Sequence, residues 1–373
     1  MNRATVNEPD PAPSNSRHQA PGNAAPRENP DGEPGPEPRR QRAERIAILG
    51  AGSWGTALAI QFFRNGHAVR LWGHEAKHIA SLVRDRENRA FLPGVSLPAS
   101  LEPVADLGQA LEDATAVLVV VPSQFFANVL AQMAPLIPAD MGIAWATKGF
   151  EPGTCKLLHE VAREITGERK LGVLSGPSFA GEVARGLPTA VTVAASCPTF
   201  SARLAALLHG ERFRAYTHDD LIGVQVGGAA KNVLAIATGI ADGLGFGANT
   251  RAALITRGLA ELIRLGLALG ARRETFMGLA GLGDLVLTCT DDQSRNRRLG
   301  LALARGETAD QAMAAIGQEV EGVVTARAVK AIAARHHVEM PISEQVFGVL
   351  YEGCTPDAAT RRLLGRAGKA EID

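Results

Sequence analysis

A single lysine, Lys231, lies in the middle of a long apolar stretch of this sequence. From Leu221 to Ala241 it is the only charged side chain, and the stretch is predicted to form one buried helix. A desolvated lysine amine can titrate, whereas an arginine stays protonated. The chain has seven lysines against 32 arginines, although such a bias also follows from genomic base composition. A buried lysine here suggests a proton that can leave; the alternative is a snorkelling core residue.

Two further residues fit chemistry around such an amine. Lys148 lies in "WATKGF", just beyond the carboxyl end of a predicted apolar strand, where ligands bind in doubly wound sheets. The alternative for Lys148 is an exposed loop lysine. Asp284 lies between glycine and leucine in the apolar run Leu279–Cys289. A carboxylate in that place can orient a lysine amine or tune its charge.

The segment "SRNRR", Ser294–Arg298, collects guanidinium, amide and hydroxyl donors. These donors suit a phosphate dianion, because guanidinium forms paired, charge-assisted hydrogen bonds. They also suit a carboxylate, so the segment alone leaves a hydroxy-acid substrate open. The alternative is a solvated basic helix start.

A glycine triplet, Gly50-x-Gly52-x-x-Gly55, lies between the apolar run "RIAIL" and a helical pattern. Gly50 permits a tight turn, Gly52 lets the backbone approach a pyrophosphate, and Gly55 permits close packing of helix on strand. The helix N-terminus then offers amide donors to phosphate. This context predicts dinucleotide binding; a plain turn or a methyltransferase loop is the alternative.

The second predicted strand ends at "RLWGHEAKH", where His74 replaces the acid that usually holds the ribose of NAD. A histidine does not repel a 2′-phosphate as an aspartate would. We therefore predict that NADP is accepted, with Arg70 or Lys77 as helpers. The alternative is that His74 is an ordinary surface residue.

Several elements must position these residues. Short apolar runs alternate with helical patterns, which predicts an α/β fold with a Rossmann-type doubly wound parallel sheet. The predicted strands are "RIAILG", "HAVRLWG", "ATAVLVVVPS", "GIAWATKG", "LGVLSGP" and "PTAVTVAAS".

After about Asp219 the strand signals stop and helical periodicity dominates. We therefore expect an all-helical C-terminal domain after the sheet. The predicted helices are 221–241, 250–269, 310–316, 325–334 and 343–351. The expected organisation is a disordered Pro-rich extension (1–43), a dinucleotide-binding domain (44–218), a helical substrate and catalytic domain (219–365) and a tail (366–373).

Composition narrows the function classes. The formal net charge is zero, which argues against nucleic-acid or membrane-surface binding through bulk charge. The stretch 221–241 is long enough to span a membrane, but Gln225, Lys231 and Asn232 favour a core helix. The four cysteines are too far apart in sequence to form a metal clip, so we expect reduced thiols, no metal site and a cytoplasmic protein.

Taken together, the motifs closely resemble those of the bacterial NAD(P)-dependent glycerol-3-phosphate dehydrogenase family. The resemblance runs from about residue 45 to 365 and is most specific in the combination of the lysine–asparagine helix with "GLGDL…T…SRNRR". The matching stretches include "GAGSWGTALA", "LWGHE", "VVVPS", "WATKG", "SGPSFA", "GGAAKNVLAI", "DGLGFGANTRAALITRGLAE", "GLGDLVLTCTDDQSRNRR" and "EVEG".

The resemblance implies interconversion of sn-glycerol 3-phosphate and dihydroxyacetone phosphate with NAD or NADP, for phospholipid synthesis. It implies Lys231 as proton acceptor and Lys148 as a helper at the substrate oxygen, with Asp284 beside them. The implied substrate residues are Lys148, Gly176, Ser178, Lys231, Asn232, Asp284, Ser294, Arg295 and Asn296. The implied cofactor residues are Gly50, Gly52, Ser53, Trp54, Gly55, His74, Lys148, Ala180, Arg295 and Glu321.

Two positions depart from the family pattern. Trp54 stands where many relatives carry tyrosine or phenylalanine, a change expected to preserve stacking. Glu319 stands where many carry an apolar residue, so that contact stays open. The resemblance also implies a homodimer as one possible assembly. A hydroxy-acid dehydrogenase of the same layout and a non-catalytic NAD(P)-sensing regulator are the competing functions.

Overall fold

The structure is a computed structural model, and it describes residues 43–366. The predicted disordered extension, except its last residue, and nearly all of the predicted tail lie outside the described residues.

The centre of the protein is an eight-stranded sheet, and a separate two-stranded hairpin lies beside it. The strand order is β10-β9-β8-β7-β6-β1-β2-β5, and the hairpin pairs β3 with β4. The strands are β1 Arg45–Leu49, β2 Ala68–Trp72, β3 Glu87–Asn88, β4 Leu92–Ser96, β5 Glu102–Val104, β6 Ala116–Val119, β7 Ile143–Trp145, β8 Leu171–Ser175, β9 Thr189–Ala195 and β10 Phe213–His218.

All six predicted strands are present, and the α/β class with a doubly wound sheet is confirmed. The sheet is parallel except at one pair, because β9 runs antiparallel to β8. The connection between them holds one short helix, Ala180–Arg185, which packs on the first helix of the chain instead of crossing the sheet. The sequence prediction also missed the edge strand β10 and the short strands β3, β4 and β5.

Fifteen α-helices surround and follow the sheet within the described residues. They are α1 Ser53–Arg64, α2 Ala76–Asp85, α3 Leu107–Leu111, α4 Ser123–Met133, α5 Leu158–Thr166, α6 Ala180–Arg185, α7 Pro198–Leu208, α8 Leu221–Gly243, α9 Ala248–Ala268, α10 Asp284–Thr290, α11 Arg295–Ala304, α12 Ala309–Ile316, α13 Glu321–His336, α14 Pro341–Tyr351 and α15 Pro356–Leu364. All five helices predicted after residue 219 are present, with ends that differ by a few residues.

The helix α8 is the central element of the helical half. It packs against α9, α10, α11, α13 and α14, and all its residues from Gly223 to Ala241 are buried. It is the one described helix that is long and apolar enough to cross a membrane, yet 89% of its apolar window is buried inside the protein. This burial is that of a core helix, as the polar residues in its sequence predicted.

The order in which strands are added to the sheet reverses at β1, and this reversal creates a crevice at the ends of the strands. From β1 the chain adds β2 and β5 on one side, then returns to add β6 and β7 on the other. Ligands of doubly wound sheets bind at the carboxyl ends of the strands at such a point. The loops after β1, β6, β7 and β8 all lie at this edge, and they carry most of the predicted site residues.

Candidate active site

The glycine loop after β1 has the geometry expected of a dinucleotide site. Gly50 has φ +131°, which favours glycine, and a Cβ there would lie 2.5 Å from the carbonyl oxygen of Val120. A Cβ on Gly55 would overlap the carbonyl oxygen of Gly50, so the start of α1 packs directly on the loop. A Cβ on Gly52 would meet nothing within 4 Å. The loop is therefore closely packed at Gly50 and Gly55 and open at Gly52, where a pyrophosphate would approach.

The start of α1 also leaves donors available. No side chain caps this helix, whose first turn includes Ser53 and Trp54. The indole Nε1 of Trp54 is buried and has no hydrogen-bond partner among the described residues. Free helix amides bind anions, and a buried orphan donor calls for a partner. The glycine loop and the uncapped start of α1 therefore fit the phosphates of a dinucleotide, and Trp54 lies in the same turn with its ring packed against the core.

The predicted 2′-phosphate helpers have different surroundings. His74 and Lys77 are exposed, as a contact with the adenosine end of a cofactor requires. Arg70 instead donates to Glu102 at 3.1 Å and to the carbonyl oxygen of Glu112 at 2.9 Å. These bonds, on an arginine within β2, indicate a role in holding the sheet edge.

The sequence analysis missed an aromatic residue on the same side. Phe125, in the first turn of α4, is 47% exposed, and its ring centroid lies 6.5 Å from that of His74. Two exposed rings at the crevice offer flat surfaces for an adenine base. The signal was available, because "PSQFF" follows a predicted strand end.

The predicted catalytic residues come together around one carboxylate. Asp284 Oδ1 accepts a hydrogen bond from Lys231 Nζ, and Asp284 Oδ2 accepts one from Lys148 Nζ at 2.7 Å. Lys148 comes from the loop after β7, Lys231 from the middle of α8 and Asp284 from the first residue of α10. Lys231 is 5% exposed and Asp284 is 1% exposed, whereas the Lys148 side chain is partly open. The carboxylate thus joins the sheet half to the helical half.

Burial and charge set the protonation of this cluster. Burial is the main cause that lowers the pKa of Lys231 to about 8; the positive charge of Lys148 acts in the same direction, and the attraction of Asp284 opposes both. Burial alone would raise the pKa of Asp284, but the two lysines together hold it below the ordinary value. At neutral pH the carboxylate is therefore ionised, and Lys231 can give up or take a proton near the working pH.

Thr288 completes the cluster, and the sequence analysis assigned it no role. Lys231 Nζ donates to Thr288 Oγ1 at 2.7 Å, and that hydroxyl donates to the carbonyl oxygen of Asp284 at 2.6 Å. The signal in the sequence was its position four residues after Asp284, one helical turn along α10. Two of the three donors of the Lys231 ammonium are thereby used, which leaves one for a substrate oxygen.

The loop after β8 lies against Lys148. The carbonyl oxygen of Gly176 accepts from Lys148 Nζ at 3.2 Å and from Ser178 Oγ at 2.9 Å. Ala180 follows as the first residue of α6 and is partly exposed. The structure therefore brings Gly176 and Ser178 to the predicted substrate oxygen site and places Ala180 close by in the same loop.

Two asparagines link α8 to the helices behind it. Asn296 Nδ2 donates to Asn232 Oδ1 at 3.1 Å, and the backbone N–H of Gly322 donates to Asn296 Oδ1 at 2.9 Å. Both side chains are buried. Asn296 thus holds Asn232 in place next to Lys231, so a direct substrate contact by Asn296 stays a prediction.

The donors of "SRNRR" divide into different environments. Ser294 Oγ caps α11 by accepting from the Arg297 N–H at 3.2 Å. The Arg297 guanidinium is buried in ion pairs with Asp242 and Asp292, and Arg298 is exposed. Arg295 is partly buried and faces Glu321 and Glu319. The Arg297 guanidinium is therefore engaged in ion pairs within the protein, and a phosphate contact by Arg295 stays a prediction.

All four cysteines are free, and no three His, Cys, Asp or Glu residues of the described chain gather closely enough to hold a metal ion.

Comparisons with known proteins agree with this geometry. Residues 45–201 match the family described as NAD-dependent glycerol-3-phosphate dehydrogenase N-terminus, and residues 220–361 match the corresponding C-terminus. The glycerol-3-phosphate dehydrogenases (NAD(P)+) of Shewanella oneidensis and Aeromonas hydrophila are each 58% identical over 328 residues, which is 87% of this chain and 97% and 98% of theirs. The crystal structure of glycerol-3-phosphate dehydrogenase from Coxiella burnetii is 51% identical with a TM-score of 0.85, over 87% of this chain and 99% of that one. The chain belongs to the NAD-dependent glycerol-3-phosphate dehydrogenase family.

Proposed function

We propose that this protein catalyses reversible hydride transfer between NAD(P)H and dihydroxyacetone phosphate, giving sn-glycerol 3-phosphate for phospholipid synthesis. The observation that carries the proposal is the Lys148–Asp284–Lys231 cluster at the carboxyl edge of the sheet, the same edge that carries the glycine loop. Family membership supports this reaction over a hydroxy-acid dehydrogenase and over a non-catalytic sensor.

Lys231 is the acid–base residue in this proposal. A bound nicotinamide supplies or accepts the hydride. In the reduction, the Lys231 ammonium donates a proton to the substrate oxygen, and in the oxidation its neutral amine removes that proton. An acid–base group works best when its pKa lies near the working pH. Burial lowers the pKa of Lys231 to about 8, which meets that requirement.

Lys148 and Asp284 support the same atom in different ways. The partly open Lys148 ammonium can stabilise negative charge that develops on the substrate oxygen, because it is already held in place by Asp284 and Gly176. Asp284 touches both lysines, so it sets their positions and compensates their charge. This is a division of labour between a proton donor, an electrostatic helper and a shared anchor.

The phosphate group of the substrate is assigned to Arg295 and its neighbours at the start of α11. Arg295 has no hydrogen bond with another side chain among the described residues, the residue as a whole is partly exposed, and burial lowers the pKa of its guanidinium. Binding energy from the phosphate can then hold the reacting carbon in place. Asn232, Ser294 and Asn296 remain predicted substrate residues around it.

The cofactor is NAD or NADP. We assign the phosphates to the loop of Gly50, Gly52, Ser53 and Gly55, and the adenosine end to His74 and Phe125. An exposed histidine in place of the usual acid favours acceptance of NADP. The remaining predicted contacts are Trp54, Ala180, Arg295 and Glu321.

We also propose that residues 44–218 and 219–365 act as cofactor-binding and catalytic domains. The change from strands to helices at Leu221 supports this division. Zero net charge and the burial of α8 support the expectation of a cytoplasmic protein without nucleic-acid or membrane partners. A homodimer is one possible assembly, which the resemblance to the family implies. Light scattering of the protein as it elutes from a size-exclusion column gives its molar mass and so tests for a dimer.

The test is a continuous assay of nicotinamide absorbance with purified protein, NADPH and dihydroxyacetone phosphate. We expect oxidation of NADPH that depends on both substrate and protein, and a slower rate with dihydroxyacetone, which lacks the phosphate. NADPH binding without turnover of any such phosphate would support a sensor. Faster turnover of 2-oxo acids would support the hydroxy-acid alternative.

A further inference from the structure

Glu321, the first residue of α13, and Glu319, two residues before that helix, contact the first turn of α4. Ser123 donates its backbone N–H to Glu321 Oε1 at 3.0 Å and its hydroxyl to Glu321 Oε2 at 2.9 Å. The next residue, Gln124, donates to Glu319 Oε2 at 3.4 Å. The partners are almost 200 residues apart in sequence, so these contacts join the sheet half to the helical half.

The contact supplies something that α4 lacks. Its N-cap is Pro122, which makes no capping hydrogen bond, and the first amides of a helix have no acceptor within the helix. The Glu321 carboxylate takes the place of a capping side chain. Negative charge is also favourable at this end, because the helix dipole is positive there.

The pair is packed against the loop that carries Lys148. A Cβ on the next residue, Gly149, would lie 2.7 Å from Ser123 Cβ and 3.2 Å from Glu321 Oε2. Only a glycine lets this loop pass so close. The position of Glu321 is therefore linked through packing to the loop that carries a proposed catalytic lysine.

Two charged neighbours act on the Glu321 carboxylate. Arg295, at the start of α11, attracts its negative charge, whereas Glu319 repels it. Burial is the main cause that raises the pKa of Glu321 to about 7, even though the two hydrogen bonds from Ser123 lower it by stabilising the ionised form. Without Ser123, the carboxylate would be less well held and less fully charged.

We propose that Ser123 is a positioning residue for cofactor binding, which fixes the Glu321 carboxylate at the crevice between the two halves. The inference rests on the proposed function for one point, the contact between Glu321 and the cofactor. Ser123 lies three residues after Val120, whose carbonyl abuts the glycine loop, so it stands in the wall of that crevice.

The test measures NADPH binding to the full-length protein by fluorescence titration with Ser123→Ala, Glu321→Gln and the double variant. Loss of one hydrogen bond predicts a Kd for NADPH about 3- to 10-fold higher in Ser123→Ala. The KM for NADPH should rise by the same factor, with kcat nearly unchanged. Because Ser123 acts through Glu321, the double variant should bind NADPH no more weakly than Glu321→Gln.

Ser201→Ala is the matched control. Ser201 is also buried, but its hydroxyl bonds within α7 to the carbonyl oxygen of Pro198 at 3.0 Å. We expect its Kd for NADPH to equal that of the unsubstituted protein.

Three results would overturn the proposal: an unchanged Kd in Ser123→Ala, tighter binding in that variant, or additive effects in the double variant. Tighter binding would mean that Ser123 competes with the cofactor for Glu321. Since the titration needs no turnover, a failure of the proposed reaction with dihydroxyacetone phosphate would be seen separately.

Discussion

Two aspartates in the helical half each bridge two cations, and the two clusters differ in the kind of cation. Asp284 lies between Lys148 and Lys231, at the crevice. Asp242, at the end of α8, lies between Arg251 and Arg297. Both carboxylates are almost fully buried.

The chemistry of the cations separates the two clusters. Burial lowers the pKa of Lys231 to about 8, so its charge can change near neutral pH. Burial alone would lower the pKa of Arg297, but its bonds to Asp242 and Asp292 raise it, so its charge is fixed. A titratable amine with a spare donor suits catalysis, whereas a guanidinium with several partners suits a structural tie. The same kind of salt bridge thus has two uses in one helical half.

The largest expected effect is on turnover in Lys231→Met. We expect kcat to fall by about 10²- to 10⁴-fold, the usual range for a lost acid–base residue. Initial rates of NADPH oxidation measure it, with NADPH titration to show that the cofactor still binds. Lys330→Met, which removes a surface lysine paired with Glu352, is the matched control and should keep its kcat. Near-normal turnover in folded Lys231→Met protein would refute the assignment.

Arg297→Met should show the opposite pattern, a loss of stability with little loss of turnover. Removing one partner of a buried ion pair typically costs about 3–5 kcal/mol. Urea unfolding of the variant measures the free energy of unfolding, and kcat is taken at a temperature where the protein is folded. If stability held while turnover collapsed, the two clusters would not differ as described.

The pH dependence of the two reaction directions separates acid from base at Lys231. The protonated amine, present below its pKa of about 8, is needed for reduction, so that rate should fall as pH rises above 8. The oxidation of sn-glycerol 3-phosphate needs the neutral amine and should rise towards the same pH. Initial rates in both directions, measured at saturating substrates from about pH 6 to about pH 10, test the fall of the reduction rate and the rise of the oxidation rate. Parallel profiles in the two directions would contradict the assignment.

The smallest effect is expected for Thr288→Val, which keeps the side-chain shape but removes the hydroxyl next to Lys231. Loss of one hydrogen bond predicts a kcat lower by about 2- to 10-fold. Thr290→Val is the control, because the exposed Thr290 hydroxyl bonds only to the carbonyl oxygen of Val286 among the described residues. An equal fall of kcat in the two variants would show that losing any threonine hydroxyl from α10 lowers turnover, and would contradict a specific role for Thr288.

The interactions that sequence reasoning predicted best are local ones. The glycine loop of Gly50 and Gly55 and the strand–helix alternation depend on neighbours within a few residues, so their patterns were sufficient. The burial of α8 was predictable from its apolar composition, although its packing partners were not. The antiparallel β9 was missed because a strand's direction depends on where the connecting helix packs. The edge strand β10 was missed because Arg214, Tyr216 and His218 interrupt its apolar pattern.

The sequence by itself determined which residue types were available: a lysine in an apolar helix, a second lysine at a strand end and an aspartate in an apolar run. Only the tertiary structure decided that Asp284 joins Lys231 to Lys148 and that Arg297 pairs with Asp242. It also decided that Glu321 caps α4 by accepting hydrogen bonds from Ser123. These pairs are far apart in sequence, and their contacts depend on how α8, α10, α11 and α13 pack against the sheet. The sequence determines which functional group each residue carries, but the pKa of Lys231 depends on the burial and the neighbouring charges that packing brings together.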